Sequence, residues 1–151
     1  MPEDAIQALI RFEWLPVEVE PGAPYLFPNP ISRHIRTTCK GPALYRWNVF
    51  SEAPGDLRIF YLGEADRLVR RLHNYLRPGP SQQTSKRINA ELRAVVETGK
   101  SAMLERLSFS PFHLSGRAVT LDDLKDRRIR RFMESWLILH HVCCGHQVLN
   151  R

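Results

Sequence analysis

The sequence predicts a small α/β domain in which a three-stranded, mainly antiparallel sheet is flanked by helices. Aromatic and β-branched residues fill 43–50 and 57–62, and the turn-like residues 51–56 between them predict a β-hairpin. A similar run at 102–109 predicts a third strand. With 151 residues, 43% of them hydrophobic, the chain can bury one ordinary core, which favours one domain with an appended segment.

Apolar residues recur at helical spacing between and after these strands. Residues 64–76 carry one such stripe, which ends at a Pro/Gly-containing segment, and residues 82–98 carry a second that ends at a glycine. Thr120, with Asp123 three residues later, resembles a capping box that opens a long third helix. The apolar stripe predicted for this helix is Leu121, Leu124, Ile129, Phe132, Met133 and Trp136. We expect Trp136 to fill the core.

Residues 1–40 differ in character from residues 41–151, which we expect to form the folded domain. Residues 4–12 predict a short helix with apolar side chains on one side. Residues 15–30 contain five prolines and few helical signals, so they predict an extended arm. Aromatic side chains that could dock this arm onto the domain are Trp14, Tyr25 and Phe27.

The charge balance favours an anionic partner. Lys and Arg outnumber Asp and Glu by 22 to 16, for a net charge of +6, and nucleic acid is the commonest partner of such a chain. Arginine dominates the basic set and suits bidentate phosphate contact, although compositional bias of the source genome would give the same excess. No apolar run approaches the roughly 18 residues of a membrane span, and residues 1–4 lack a signal pattern. We therefore expect a soluble, intracellular (cytoplasmic) protein without membrane contact.

Histidines and cysteines crowd into residues 140–146, which raises the possibility of a zinc site. The residues concerned are His140, His141, Cys143, Cys144 and His146. Zinc ligands usually come as spaced pairs, and neighbouring residues on a helix point in different directions. The pattern favours a helix end with buried cysteines and surface histidines. The three cysteines are an odd set, with Cys39 distant from the others, and do not resemble a disulfide framework.

A set of polar side chains with complementary chemistry is spread along the predicted elements. A phenol, a guanidinium, a carboxylate and a carboxamide together suit cleavage of a phosphodiester. The candidates are Tyr45, Tyr61, Arg71, Tyr75, Glu134 and Asn150. Each has an ordinary structural explanation when it is taken alone, such as a half-buried strand tyrosine, a solvated arginine or a surface salt bridge. Their value lies in their occurrence together.

The order and spacing of these residues resembles the GIY-YIG nuclease superfamily over residues 41–151. Ala43-Leu44-Tyr45 and Tyr61-Leu62-Gly63 are similar to its two motifs, with Ala43 in place of glycine and leucines in place of isoleucines. Arg71 follows Tyr61 by ten residues, Glu134 opens an apolar helix, and Asn150 lies in a terminal strand-like segment. Some members carry a lysine where this chain has Glu64, and Tyr75 could supply the missing hydrogen bond.

The resemblance implies a GIY-YIG-like fold and a metal-dependent DNA endonuclease that hydrolyses phosphodiesters by in-line attack of water. It implies Tyr45 as the favoured general base, with Tyr61 orienting the water, and Arg71 on a non-bridging phosphate oxygen. Glu134 would hold one Mg²⁺ or Mn²⁺ ion, and Asn150 would fix the hydrogen-bond network.

Basic residues near these positions are expected to bind neighbouring phosphates of DNA. They are Arg67, Arg70, Lys125, Arg127, Arg128, Arg130 and Arg131. Two alternatives stay open at this point: a non-catalytic nucleic-acid-binding relative, and a nuclease that acts on RNA. A homodimer that cuts both strands, or a partner protein that targets the enzyme, is also compatible with the sequence.

Overall fold

A computed structural model describes residues 4–55 and 57–150 of the protein, which form a mixed α/β structure. The strands are β1 (Phe12–Pro16), β2 (Glu18–Glu20), β3 (Ala23–Pro24), β4 (Ala43–Phe50), β5 (Ile59–Ala65), β6 (Ser101–Phe109), β7 (Phe112–Leu114), β8 (Arg117–Val119) and β9 (Gln147–Val148). The α-helices are α1 (Arg33–Thr38), α2 (Leu68–Leu76), α3 (Gln83–Glu97) and α4 (Arg127–Cys143), and a 3-10 helix spans Leu121–Lys125. Strands β2 and β3 form one small sheet, and β7 and β8 form another.

The predicted hairpin and third strand are confirmed and form the centre of the main sheet. Strand β4 pairs antiparallel with β5 on one side and with β6 on the other. The β4–β5 register places Tyr45 opposite Gly63 and Trp47 opposite Tyr61. Asp56, the last residue of the predicted turn, lies outside the described residues. The hairpin therefore brings the two tyrosine-containing segments side by side.

The prediction of a three-stranded sheet is wrong, because the sheet has five strands in the order β1-β6-β4-β5-β9. Strand β1 comes from the N-terminal segment and pairs antiparallel with β6, whereas β9 pairs in parallel with β5. The helix predicted for residues 4–12 is also wrong, since residues 4–11 have no regular structure and Phe12 begins β1. Backbone pairing with β6 outweighs the weak helical periodicity of this segment. Residues 1–3 of the predicted N-terminal segment lie outside the described residues.

The proline-rich arm packs against the domain, as its aromatic residues predict. Tyr25 and Phe27 are buried, and their rings lie 6.2 and 5.8 Å from the Trp47 ring. The Phe27 N–H donates to the carbonyl of Ala102, so the backbone of the arm is held as well. Helix α1, which the sequence pattern did not predict, follows the arm and is capped by the side chain of Ser32.

Two apolar cores lie on opposite faces of the sheet because side chains alternate along each strand. Tyr45 and Trp47 of β4 belong to the core under α2 and α3, whereas Leu44 belongs to the core under α4. In α4 the buried apolar residues are Met133 and Leu137. Trp136 is only partly buried, and Leu121 and Phe132 are 47% and 45% exposed, so the predicted stripe is only partly correct.

The three helices predicted within residues 41–151 are present, with shifted ends. Helix α2 begins at Leu68 rather than at residue 64, because residues 64 and 65 belong to β5. The Thr120/Asp123 capping box forms, but it caps the 3-10 helix, and α4 starts after Asp126, whose side chain accepts from the N–H of Arg128. Within the described ranges, no helix has both the length and the apolar character needed to cross a membrane.

Candidate active site

Three of the predicted residues form one hydrogen-bonded cluster. The hydroxyl oxygens of Tyr45 on β4 and Tyr75 on α2 lie 2.5 Å apart. The Nε of Arg71 donates to the Tyr45 hydroxyl at 3.2 Å. Arg71 and Tyr75 share one face of α2, since residues four positions apart on a helix are neighbours. The helix therefore delivers a guanidinium and a phenol to the same hydroxyl on the central strand.

Gly63 makes room for this cluster. A Cβ atom added at Gly63 would overlap the hydroxyl and the adjacent ring carbons of Tyr45. Tyr45 and Gly63 are paired across β4 and β5, so the phenol lies directly over the glycine. The backbone of Gly63 is not in the left-handed region, and the constraint is one of space alone. This gives a physical reason for glycine as the third residue of Tyr-Leu-Gly.

Tyr61 has a different environment from Tyr45. Its ring lies 6.3 Å from the Tyr75 ring in an edge-on arrangement. Tyr45 is 0% exposed and Tyr61 is 6% exposed. Among the described residues, none forms a hydrogen bond with the Tyr61 hydroxyl. The fully buried polar atoms without a partner do not include this hydroxyl, so it keeps some contact with solvent. Tyr61 therefore presents a free phenol beside the bonded pair.

Asn150 holds the strand that carries Tyr61 and Gly63. Its side-chain oxygen accepts from the N–H of Leu62 at 2.9 Å, and its amide nitrogen donates to the Leu62 carbonyl at 2.7 Å. The side chain thus forms the two hydrogen bonds to the β5 backbone that a neighbouring strand would form, just beyond the short β9. The predicted role of Asn150 in fixing the site's network stays a prediction, and these two bonds are its structural basis.

Glu134 lies on α4, partly buried, near Glu64 and Arg71. Burial raises the pKa of Glu134, and the Glu64 carboxylate raises it further, whereas Arg71 and the backbone N–H of Glu64 lower it. None of the ion pairs among the described residues includes Glu134. The carboxylate is therefore available to a cation.

The phenols of Tyr45 and Tyr75 are held neutral in this arrangement. Burial raises the pKa of Tyr45 well above its usual value, against the opposing effect of Arg71. Burial likewise raises the pKa of Tyr75, and the neighbouring Tyr45 adds to this effect. For Arg71, burial lowers the pKa but the three nearby tyrosines raise it more, so the guanidinium stays charged. The resting site thus contains a fixed cation beside neutral phenols.

A basic cleft of about 350 Å³ adjoins this cluster. Arg71 is the cluster residue that lines it, whereas the tyrosines, Glu134 and Asn150 are not part of its lining. The other charged or polar side chains of the lining are Glu64, Asp66, Arg67, Arg70, Asn74, Arg127 and Arg130. Five arginines against two carboxylates give the cleft lining a net positive charge. Asn74, one helical turn after Arg71, is a lining residue that the sequence interpretation missed.

The predicted DNA-contacting residues divide into three groups, of which two line the cleft. Arg67, Arg70 and Arg127 are exposed and line the cleft. Arg130 is buried, with its Nε 2.6 Å from a carboxylate oxygen of Glu64, and it also donates to two backbone carbonyls. Its guanidinium is committed to holding α4 against β5, a role that sequence spacing could not reveal because Glu64 is 66 residues away.

The remaining predicted contacts lie outside the cleft lining. Lys125 pairs with Asp122 at 3.8 Å, and Arg128 pairs with Asp126 at 2.9 Å. Arg131 is exposed on α4. Surface pairs of this kind contribute little to stability.

The prediction of buried cysteines and surface histidines is wrong for Cys143, Cys144 and His141, whereas His140 and His146 are exposed as predicted. Cys143 and Cys144 are exposed, whereas His141 is buried. His141 donates from Nδ1 to the carbonyl of Leu137 and accepts at Nε2 from Arg46, each at 2.9 Å. Both ring nitrogens are therefore hydrogen-bonded, which allows the side chain to be buried. In the part of the chain that the structure describes, no group of three or more His, Cys, Asp or Glu side chains is arranged to hold a metal ion.

In the comparisons with known proteins, no protein-family model, no curated protein and no solved structure matches this chain.

Proposed function

We propose that this protein is a metal-dependent DNA endonuclease that works in the manner of the GIY-YIG nucleases. The observation that carries the proposal is the position of Arg71. Its Nε binds the buried Tyr45 hydroxyl, and the same side chain lines the basic cleft. A charged guanidinium is thereby fixed between a cluster of phenols and a cavity suited to phosphate.

Arg71 is suited to stabilise the charge that develops during phosphodiester hydrolysis. A guanidinium has five N–H donors, and the bond to Tyr45 uses only Nε. The terminal N–H groups remain for a non-bridging phosphate oxygen. Because the hydrogen bond to Tyr45 fixes the guanidinium in advance, little reorganisation is needed in the transition state.

Tyr61 is the better candidate for the general base, in contrast to the expectation that favours Tyr45. A base must reach the water that it deprotonates. Tyr45 is fully buried, its hydroxyl is bonded to Tyr75 and Arg71, and burial raises its pKa. The Tyr61 hydroxyl contacts solvent and has no partner in the described ranges. In this proposal Tyr45 and Tyr75 position Arg71, and Tyr61, after its own hydroxyl proton has passed to solvent, takes the proton of the attacking water.

The residues present fit a divalent metal ion of the magnesium type. Mg²⁺ is commonly bound through one or two carboxylates, with waters and substrate phosphates completing its shell. Glu134 supplies such a carboxylate without an ion-pair partner, close enough to Glu64 for the two to repel. When bound, the ion would neutralise charge on the scissile phosphate and the leaving oxygen. Glu134 would hold it, and Asn150 would keep the strand bearing Tyr61 in register.

The test is cleavage of supercoiled plasmid in the presence of Mg²⁺ or Mn²⁺. The wild type is expected to nick or linearise the plasmid, and Arg71→Ala and Glu134→Gln are expected to lose this activity. Arg93→Ala is the matched control, because Arg93 is exposed on α3 and lines neither the cleft nor the tyrosine cluster. Equal cutting by all four proteins would place the activity in a contaminant or at another site.

The same preparations separate the two alternatives. Metal-independent DNA binding without cleavage by the wild type would favour a non-catalytic relative. Preferential cleavage of an RNA strand of the same sequence would favour a ribonuclease.

A further inference from the structure

A second basic pocket of about 500 Å³ lies beside the cleft and shares Arg67 and Arg70 with it. Its other basic residues include Arg36 on α1 and Lys40, just after α1. Both belong to the N-terminal segment, which precedes the part of the chain that resembles a nuclease. The two cavities together form a continuous basic surface along the first half of α2.

Within the described ranges, the cations of this second pocket form no ion pair, although Arg67 and Arg70 also line the cleft that contains Glu64 and Asp66. Arg36, Lys40, Arg67 and Arg70 are all exposed, and the pocket lining contains no acidic residue. None of the ion pairs found among the described residues includes any of these four. Four positive groups around one cavity repel each other, and a bound anion relieves this repulsion.

Backbone hydrogen bonds fix the N-terminal contribution to the pocket. The N–H groups of Leu68 and Val69, at the start of α2, donate to the carbonyls of Gly41 and Cys39, each at 3.1 Å. Lys40 lies between these two acceptors and is therefore held beside the first turn of α2. The surface is thus formed before any ligand binds, which reduces the entropy lost on binding.

The fully buried side chain of Ile35 anchors α1, whose first turn is capped by Ser32. Arg36, the next residue, is exposed on the same short helix and lines the pocket. The pocket lining combines the aliphatic Ile31 and Val69 with four Lys and Arg side chains, and it contains one aromatic ring, that of His73, but no Phe, Tyr or Trp. Contacts from this surface would therefore go to the sugar-phosphate backbone rather than to bases.

We infer that Arg36 and Lys40, with Arg67 and Arg70, bind the backbone phosphates that neighbour the phosphate in the cleft. The DNA strand then runs from Arg71 along the first half of α2 to α1. This inference rests on the proposed function, and it assigns the N-terminal segment a part in holding the substrate. Binding of this kind is independent of sequence and weakens as salt increases.

The test measures the salt dependence of DNA binding for Arg36→Gln/Lys40→Gln. A fluorescently labelled duplex is titrated in EDTA, so that binding is measured without cleavage, at salt concentrations between about 50 and 200 mM, a range over which phosphate contacts weaken strongly. Each lost phosphate contact should reduce the slope of log K against log salt by about 0.9, so we expect a decrease of about 1 to 2. We also expect at least a tenfold loss of affinity at the lowest salt concentration.

The matched control is Lys86→Gln/Lys100→Gln, which removes the same charge from residues that line neither cavity. The control should keep the wild-type slope. Both doubly substituted proteins should fold, because Arg36, Lys40 and Lys86 are exposed and Lys100 is partly exposed, and a thermal melt checks this.

A slope and affinity equal to those of the control would overturn the inference, while plasmid cleavage by the wild type would leave the proposed function intact. Absence of both DNA binding and plasmid cleavage by the wild type would overturn both. Loss of cleavage in Arg71→Ala with retained binding, together with the expected slope change in Arg36→Gln/Lys40→Gln, would support both.

Discussion

Replacing Gly63 by alanine tests the geometry of the tyrosine cluster. The added Cβ would overlap the Tyr45 hydroxyl and ring. Tyr45 is fully buried and its ring packs against Tyr75, which in turn packs against Trp47, so Tyr45 cannot move aside without disturbing these neighbours. Overpacking of a core typically costs about 1–3 kcal/mol. Displacing the phenol also weakens its hydrogen bonds to Tyr75 and Arg71, each worth about 1 kcal/mol.

The expected loss in the free energy of unfolding is therefore about 2–4 kcal/mol, measured by urea denaturation. The control is Gly79→Ala, because a Cβ at Gly79 meets its nearest atom at an ordinary 3.5 Å. In a Tyr45→Leu background, which removes the overlapping atoms, Gly63→Ala should cost less than about 1 kcal/mol. A cost below about 0.5 kcal/mol in the wild-type background would refute this reasoning about the close approach.

Three further predictions follow from buried or bridging side chains. Leu137→Ala should lower the free energy of unfolding by about 2–5 kcal/mol in urea denaturation, because Leu137 is buried. Trp136→Ala should lower it by less, because Trp136 is only partly buried. The reverse order would mean that α4 packs differently. Burial lowers the pKa of His141 to about 4 from its usual value near 6.5, so the unfolded chain binds this proton first and stability should fall as pH decreases from about 6.5 to 4. Thermal melts across this range should show the decrease, and His141→Asn, which cannot take up the proton, should flatten it. Asn150→Leu removes both bonds to Leu62 and should slow plasmid cleavage at least tenfold; an unchanged rate would show that the site does not depend on this support.

The sequence predicted the parts of the fold that depend on local pattern. The hairpin of β4 and β5, the strand β6 and the helical identity of α2, α3 and α4 follow from periodicity within each segment. Strand β1 was missed, and β9 was expected only as the terminal strand-like segment that the resemblance implies. A five-residue and a two-residue strand carry too little pattern of their own, and their distant partners make them strands. The burial of two polar side chains also depends on partners that are distant in sequence: Arg130 binds Glu64, and His141 binds Arg46.

The sequence predicted which residues belong to the candidate site. It did not predict how their side chains contact one another. The resemblance named Tyr45, Arg71 and Tyr75, and the structure places these three within hydrogen-bonding distance. The spacing of the motifs gives no information on which tyrosine hydroxyl is hydrogen-bonded to Tyr75 and Arg71. The difference between Tyr45 and Tyr61 arises from packing under α2, where Gly63 accepts the Tyr45 ring.

The rate at which Arg71→Ala cleaves DNA tests the central claim most directly. Cleavage of a labelled duplex is measured in a single turnover with Mg²⁺, at enzyme concentrations that saturate binding. A preorganised donor to developing charge typically contributes about 10²–10³ in rate, so we predict a loss of at least this size while a thermal melt shows a folded protein. A rate within about threefold of the wild type, a difference well under 1 kcal/mol in the barrier, would contradict the assignment of Arg71 as the link between the tyrosine cluster and the bound phosphate.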